Sequence, residues 1–135
     1  MKNEDILKEL LVLKENSYSP YSNFKVACII YLKNGKKIKG VNVENAAYNP
    51  TICAERTALS QMITKGFGKE DVDFVTLYTD SSKFGSPCGT CRQTLYELLK
   101  KSQTISFFNK NGFLGSYSVS ELLPYAFNND NLKDK

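Results

Sequence analysis

Thr51-Ile52-Cys53-Ala54-Glu55-Arg56, read together with Ser86-Pro87-Cys88-Gly89-Thr90-Cys91-Arg92-Gln93, is the stretch around which the rest of the chain is organised. Cys88 and Cys91 are three apart, so at the start of a helix they share a face and offer two corners of a metal tetrahedron. Cys53 would supply the third. Three protein ligands leave a fourth position open for water, which distinguishes a catalytic zinc site from a closed structural one. Glu55 is then the candidate proton carrier. Zinc with three thiolates carries a net charge of about −1, so the site needs positive surroundings. Helices opening at Cys53 and at Pro87-Cys88 would aim both positive dipole ends at the metal and lower the thiol pKa values. Proline suits the first turn of such a helix. Residues two apart do not face the same way along a helix, so Cys53 and Glu55 converge only if a helix end points into the cavity. Arg56 and Arg92 are candidates to donate hydrogen bonds to the thiolate sulfurs.

Outward from these motifs, the first metal helix is expected over 53–65, with Ala58, Leu59, Met62 and Ile63 inward and Gly66 and Gly68 as its stop. The second is expected over 88–101, burying Leu95, Leu98 and Leu99. The apolar stripe Ile6, Leu7, Leu10, Leu11, Leu13 predicts a packing helix over 5–14. Residues 17–24, rich in Ser, Tyr, Pro and Asn, read as a loop before a strand over 25–32. Asn34-Gly35 reads as a tight two-residue turn into a partner strand over 36–43. Further strands are expected over 72–79, 104–108 and 113–117, the last two joined through Asn111-Gly112, with Ser120 capping a brief turn that ends at Pro124. Residues 128–135 read as a loose tail. A hairpin followed by alternating helix and strand implies an α/β fold, a mixed sheet with helices on both faces.

The 135 residues suffice for a single substantial core, read as one domain over 1–127. There is no histidine, which removes Ser-His and Cys-His nucleophile pairs and every histidine metal site. A net charge of +4 without a run of five like charges gives no nucleic-acid footprint, so no nucleic-acid partner is expected. Lys33, Lys36, Lys37 and Lys39 read as a solvated hairpin protecting a sheet edge. The longest apolar run, 26–32, is too short to cross a bilayer, and the acidic start is unlike a signal peptide; a cytoplasmic protein without membrane contact is expected. Cys-x-x-Cys in a reduced compartment reads first as metal or redox chemistry, and a thioredoxin-like use leaves Cys53-Ala54-Glu55 unexplained. Cys28, on an apolar strand, reads as a small buried hydrophobe.

Cys53-Ala54-Glu55 followed by Pro87-Cys88-Gly89-Thr90-Cys91 is similar to the zinc nucleoside and nucleobase deaminase signature in its three-cysteine form. Ser19-Pro20-Tyr21-Ser22-Asn23-Phe24, Gly40-Val41-Asn42-Val43-Glu44-Asn45-Ala46 and Glu121-Leu122-Leu123-Pro124 resemble the corresponding segments of the small homotetrameric cytidine deaminases. The resemblance runs from about Ser17 to Phe127. It implies a three-layer α/β/α fold with a mixed, mostly five-stranded sheet, and one Zn²⁺ per chain on Cys53, Cys88 and Cys91. It also implies conversion of cytidine and deoxycytidine to the uridine nucleosides with release of ammonia. Glu55 would take the proton from activated water and pass it to N3, and would then protonate the leaving amine.

The same resemblance places Asn42 and Glu44 on the ribose hydroxyls, Phe24 against the pyrimidine face and Ala54 in the substrate site. It places Arg56 behind the thiolates, and has Tyr48 and Phe127 reach into a neighbouring subunit's site in a homotetramer. By spacing alone, Asn42 and Glu44 would be the solvent face of a strand and Phe24 a core residue. Three departures from the family pattern stand out: Ala27-Cys28 where Gly-Ala is frequent, Thr90 between the cysteines where a smaller residue is frequent, and Tyr125 after Pro124 where Gly is common. Two rivals remain. A deaminase of a cytosine-nucleoside antibiotic would share the metal motif. A non-catalytic zinc module that binds RNA would want a fourth ligand, which the sequence does not offer.

Overall fold

A computed structural model describes residues 1–133 of the chain. In chain order its elements are α1 (Asn3–Lys14), β1 (Val26–Leu32), β2 (Lys37–Val41), α2 (Ala54–Thr64), a 3-10 turn (Lys69–Asp71), β3 (Val72–Thr79), α3 (Gly89–Leu98), β4 (Thr104–Asn109), β5 (Gly112–Ser118), α4 (Val119–Leu122) and α5 (Asn129–Lys133). The five strands lie in the order β2-β1-β3-β4-β5, and β3–β4 is the parallel pair among antiparallel ones. A parallel pair needs a crossover, and α3 provides it.

β1 is buried from Ala27 to Leu32, as its unbroken apolar run requires of a strand covered on both faces. Its side chains alternate between two cores. Ala27, Ile29 and Tyr31 pack with Ile6 and Leu10 of α1, whereas Cys28, Ile30 and Leu32 pack with Ala58, Leu59 and Met62 of α2 and Leu95 of α3. The result is the expected three-layer α/β/α arrangement with a mixed five-stranded sheet. α2 lies unusually close to β2. A Cβ added at Gly40 would stand 2.5 Å from Ala58 N and 2.6 Å from Ala54 O, so only glycine lets the first turn of α2 settle there.

Several local expectations change. The β1–β2 connection spans 33–36, closed by Leu32 N donating to Lys36 O, and in it Gly35, at φ 89°, alone takes the left-handed conformation, with its N–H donating to Leu32 O. β2 stops at Val41, not at 43, because the Asn42 side chain takes up the backbone of the 17–26 segment. α3 ends at Leu98 and not at 101, where Leu99 turns to extended backbone. Ile63, expected inward, is 48% exposed, since the buried stripe of α2 runs through Ala54, Ala58, Leu59 and Met62. The cap expected at Ser120 lies at Ser118, whose Oγ accepts from Glu121 N while Glu121 accepts from Ser118 N. Where a loose tail was expected, Asn129–Lys133 form a short helix. Asn128 Oδ1 accepts from Asp130 N and Asn131 Oδ1 accepts from Asn128 N, which nucleates the turn. The expectation for 134–135 lies outside the described residues.

One polar hub ties the α1 layer to the sheet. Asp80, just past β3, accepts from Lys25 N at 2.9 Å, Lys14 Nζ at 3.0 Å and Tyr78 Oη at 3.2 Å. It fixes the start of the loop that leads to Pro87-Cys88.

Candidate metal and active site

Both metal motifs sit at helix starts, as the spacing demanded. Cys53 and Cys88 are the N-cap residues of α2 and α3, each with extended backbone, and Cys91 lies in the first turn of α3. Helix N-termini carry partial positive charge, so the thiols face two dipole ends. The ligand atoms of Cys53, Cys88 and Cys91 all lie within 4.8 Å of one another, with Cys53 and Cys88 Sγ 3.9 Å apart. Tetrahedral zinc, with Zn–S bonds of about 2.3 Å, holds its sulfurs about 3.8 Å apart. A soft three-sulfur donor set of this spacing fits zinc. Cys28 is buried in the sheet core and stands outside the cluster.

The electrostatics single out one thiol. The hydrogen bond from Cys91 lowers the Cys53 pKa to about 6, against the opposing effect of burial and with help from Cys88 and the Arg56 guanidinium. The same bond, reinforced by burial, pushes the Cys91 thiol up. Of Cys53 and Cys91, Cys53 is thus the one poised to ionise. Glu55, only 5% exposed, is pushed up to about 7 by burial, with the neighbouring charge of Cys53 adding to the shift. A carboxyl so placed can hold or release a proton near neutrality.

A cavity of about 320 Å³ opens in front of these groups, and Phe24, Asn42, Ala54, Glu55, Cys53 and Cys88 all line it. Glu44, Arg56, Tyr48 and Phe127 are not on its wall. Tyr48 and Arg56 line a second cleft, of about 430 Å³, whose wall also includes Cys53 and Cys88. Tyr48 is 91% exposed and Phe127 58%, the latter held by its carbonyl, which accepts from Gln93 Nε2 at 2.9 Å.

Asn42 and Glu44 do not share a strand face. Asn42 is buried beyond the end of β2: its Nδ2 donates to Phe24 O, and its Oδ1 accepts from Val26 N and Ser17 Oγ. Glu44 accepts from Tyr21 N, Ser22 N and Ser22 Oγ, and the Ser22 hydroxyl above all holds its carboxyl below the usual range. Arg92 was expected at the sulfurs, but its guanidinium donates to Leu122 O at 3.0 Å and so ties α3 to α4. Thr79 also lines the cavity, and among the described residues its buried hydroxyl has no partner. Nothing in the sequence singles out Thr79 or Ser22, although the run of small hydroxyl residues in 17–24 was a local signal for loop-fixing bonds.

The model of the family described as the cytidine and deoxycytidylate deaminase zinc-binding region matches residues 1–106. A cytidine deaminase of Halalkalibacterium halodurans is 37% identical over 99% of this chain and all of that protein. One from Mycoplasma genitalium is 40% identical over 92% of this chain and 94% of its own length. The crystal structure of cytidine deaminase from Burkholderia pseudomallei superposes with a TM-score of 0.88 at 35% identity, covering 94% of this chain and 100% of that one.

Proposed function

This chain belongs to the cytidine and deoxycytidylate deaminase zinc-binding family, and from that premise we propose that it hydrolyses cytidine and deoxycytidine to uridine and deoxyuridine, releasing ammonia. One observation carries the reading: a buried carboxyl with pKa near 7 and two thiols of a zinc-spaced trio, Cys53 and Cys88, face one nucleoside-sized cavity. Cys53, Cys88 and Cys91 would hold the metal. When bound, zinc supplies the Lewis acidity that makes water nucleophilic near neutral pH.

The chain's own groups do the rest. Glu55 takes a proton from the attacking water and delivers it to N3 as the C4–O bond forms, then carries the proton of the new C4 hydroxyl to the amine, so that C4 becomes a carbonyl as the C4–N bond breaks and ammonia leaves. The two helix starts and Arg56 offset the negative charge gathered on the sulfurs. Phe24 offers its ring to the pyrimidine face, Ala54 lines the base site, and Asn42 and Glu44 take the sugar hydroxyls. These four assignments rest on the matched motif positions, and for Phe24, Ala54 and Asn42 also on their place at the cavity.

We further assign the chain to a homotetramer in which Tyr48 and Phe127 complete a neighbour's site. Their exposure beside the thiol cluster and at the end of the α4 turn supports this. A reducing, cytoplasmic setting suits three thiols that must stay unoxidised, and no helix among the described residues is long and apolar enough to cross a membrane. Neither a nucleic-acid nor a membrane partner is invoked. The test is ammonia release from cytidine, deoxycytidine, cytosine, cytidine monophosphate and a cytosine-containing oligonucleotide, with zinc quantified on the same sample. The nucleosides should be preferred, and preference for the oligonucleotide would overturn the reading.

A further inference from the structure

Phe24 is held at both of its backbone polar groups. Its N–H donates to Ser22 Oγ at 3.0 Å, and its carbonyl accepts from Asn42 Nδ2 at 2.8 Å. Ser22 Oγ in turn donates to Glu44 Oε2, while Tyr21 N and Ser22 N each donate to Glu44 Oε1 at 3.1 Å. Asn42 and Glu44 belong to one short segment, pinned by Glu44 N donating to Tyr18 O and by Tyr18 N donating to Asn42 O. The bonds therefore close a ring that runs from Phe24 through Ser22 and Glu44 to Asn42 and back. A serine hydroxyl has a single proton. With the Phe24 N–H directed at the Ser22 oxygen, that proton goes to the carboxylate of Glu44.

We propose that Ser22 is a positioning residue for the deamination, coupling the carboxylate that meets the sugar to the aromatic side chain that meets the base. The inference rests on the roles of Glu44 and Phe24 proposed above. Ser22 is not on the cavity wall, so it acts through those two residues. A carboxylate offers about four acceptor sites. The loop occupies three of them, which leaves Glu44 one position for a sugar hydroxyl. A hydroxyl that docks there engages a group already bonded into the Phe24 backbone, so remote binding energy is expressed as placement of the base. Truncating the sugar should then cost turnover as well as affinity.

The experiment measures kcat and KM for cytidine and for 2′,3′-dideoxycytidine, which lacks the two hydroxyls on the sugar ring but keeps the 5′-hydroxyl, on the zinc-loaded parent, Ser22→Ala, Ser22→Thr and Glu44→Gln. Thermal midpoint and zinc content are recorded for each. Ser22→Ala should lower kcat/KM for cytidine about tenfold, shrink the preference for cytidine over dideoxycytidine by a similar factor, and be largely restored by Ser22→Thr. In the Glu44→Gln background, Ser22→Ala should add little. Equal losses on both substrates, or no loss, would overturn the coupling while leaving the enzyme's activity standing. Should Ser22→Ala not fold, Glu44→Gln reads the coupling from its other end by the same preference, and a substrate-independent loss there overturns it. A parent that releases no ammonia from cytidine would instead refute the proposed function.

Discussion

Gly40 and Ala54 approach so closely that a Cβ on the glycine would stand 2.6 Å from the Ala54 carbonyl oxygen. Ala54 lies between Cys53 and Glu55, so this contact sets how the metal-binding end of α2 meets the sheet. Gly40→Ala should cost about 1–3 kcal/mol by overpacking and lower zinc content and activity together. Thermal unfolding with metal analysis reads both, and an unchanged zinc content at reduced stability would detach the contact from the site.

Zinc should be bound at about one ion per chain, and should be lost on Cys88→Ala but kept on Cys28→Ala. Cys28 lies among apolar side chains on the α2 face of the sheet, away from the three clustered sulfurs. A comparable loss of metal in both variants would mean that the ligand set is wrong.

Glu55→Gln should keep the fold and the metal while lowering kcat by about 10²–10⁴, the usual scale for removing a positioned proton carrier. The amide matches the carboxyl in shape and cannot exchange the proton. Single-turnover ammonia release on zinc-loaded protein measures this, and near-normal turnover would remove the assigned role.

The Asp80 hub gives the acid side of the stability curve a defined contributor. Burial pushes the Asp80 carboxyl up, but the Lys25 amide, the Lys14 ammonium and the Tyr78 hydroxyl together outweigh it and hold its pKa below the ordinary 3.8. A depressed folded-state pKa adds stability that is present above the unfolded value and lost as pH falls through the folded one. Thermal midpoints of the parent should therefore fall below about pH 4 more steeply than those of Asp80→Asn. Parallel curves for the two proteins would exclude the contribution.

Tyr125 is fully exposed yet holds φ at 56°, a conformation glycine adopts without strain. This is the physical content of the departure at the position after Pro124. Tyr125→Gly should stabilise the isolated chain by about 1 kcal/mol, relief of left-handed strain exceeding the added flexibility of the unfolded chain. A lower denaturation midpoint in dilute solution would count against that balance.

Much of this architecture was legible because it rests on local pattern. The unbroken apolar run of β1 announced a strand with two covered faces, and the three-residue spacing of Cys88 and Cys91 announced a helix start. What escaped the sequence depends on distant partners. Arg92 could be placed near the sulfurs by proximity in sequence, but the Leu122 carbonyl that captures it lies on another element. Asn42 and Glu44 read as a strand face because nothing local shows that the 17–26 segment will fold back over them. Ser118-x-x-Glu121 is a capping box written in the sequence, and it outranks Ser120 because its two bonds are reciprocal.

Neither Cys53 nor Cys88 makes a side-chain capping bond, so the opening turns of α2 and α3 lack the oxygen acceptor that a serine or aspartate would give. Fraying at those two turns is correspondingly easy, and amide hydrogens there should exchange well before those of Leu59 or Leu95 farther along the same helices. The reactive sulfurs thus sit on helix turns that no side-chain cap closes. A chelator should widen the difference in exchange, which makes amide exchange at the two helix starts a reporter of the metal that needs no substrate.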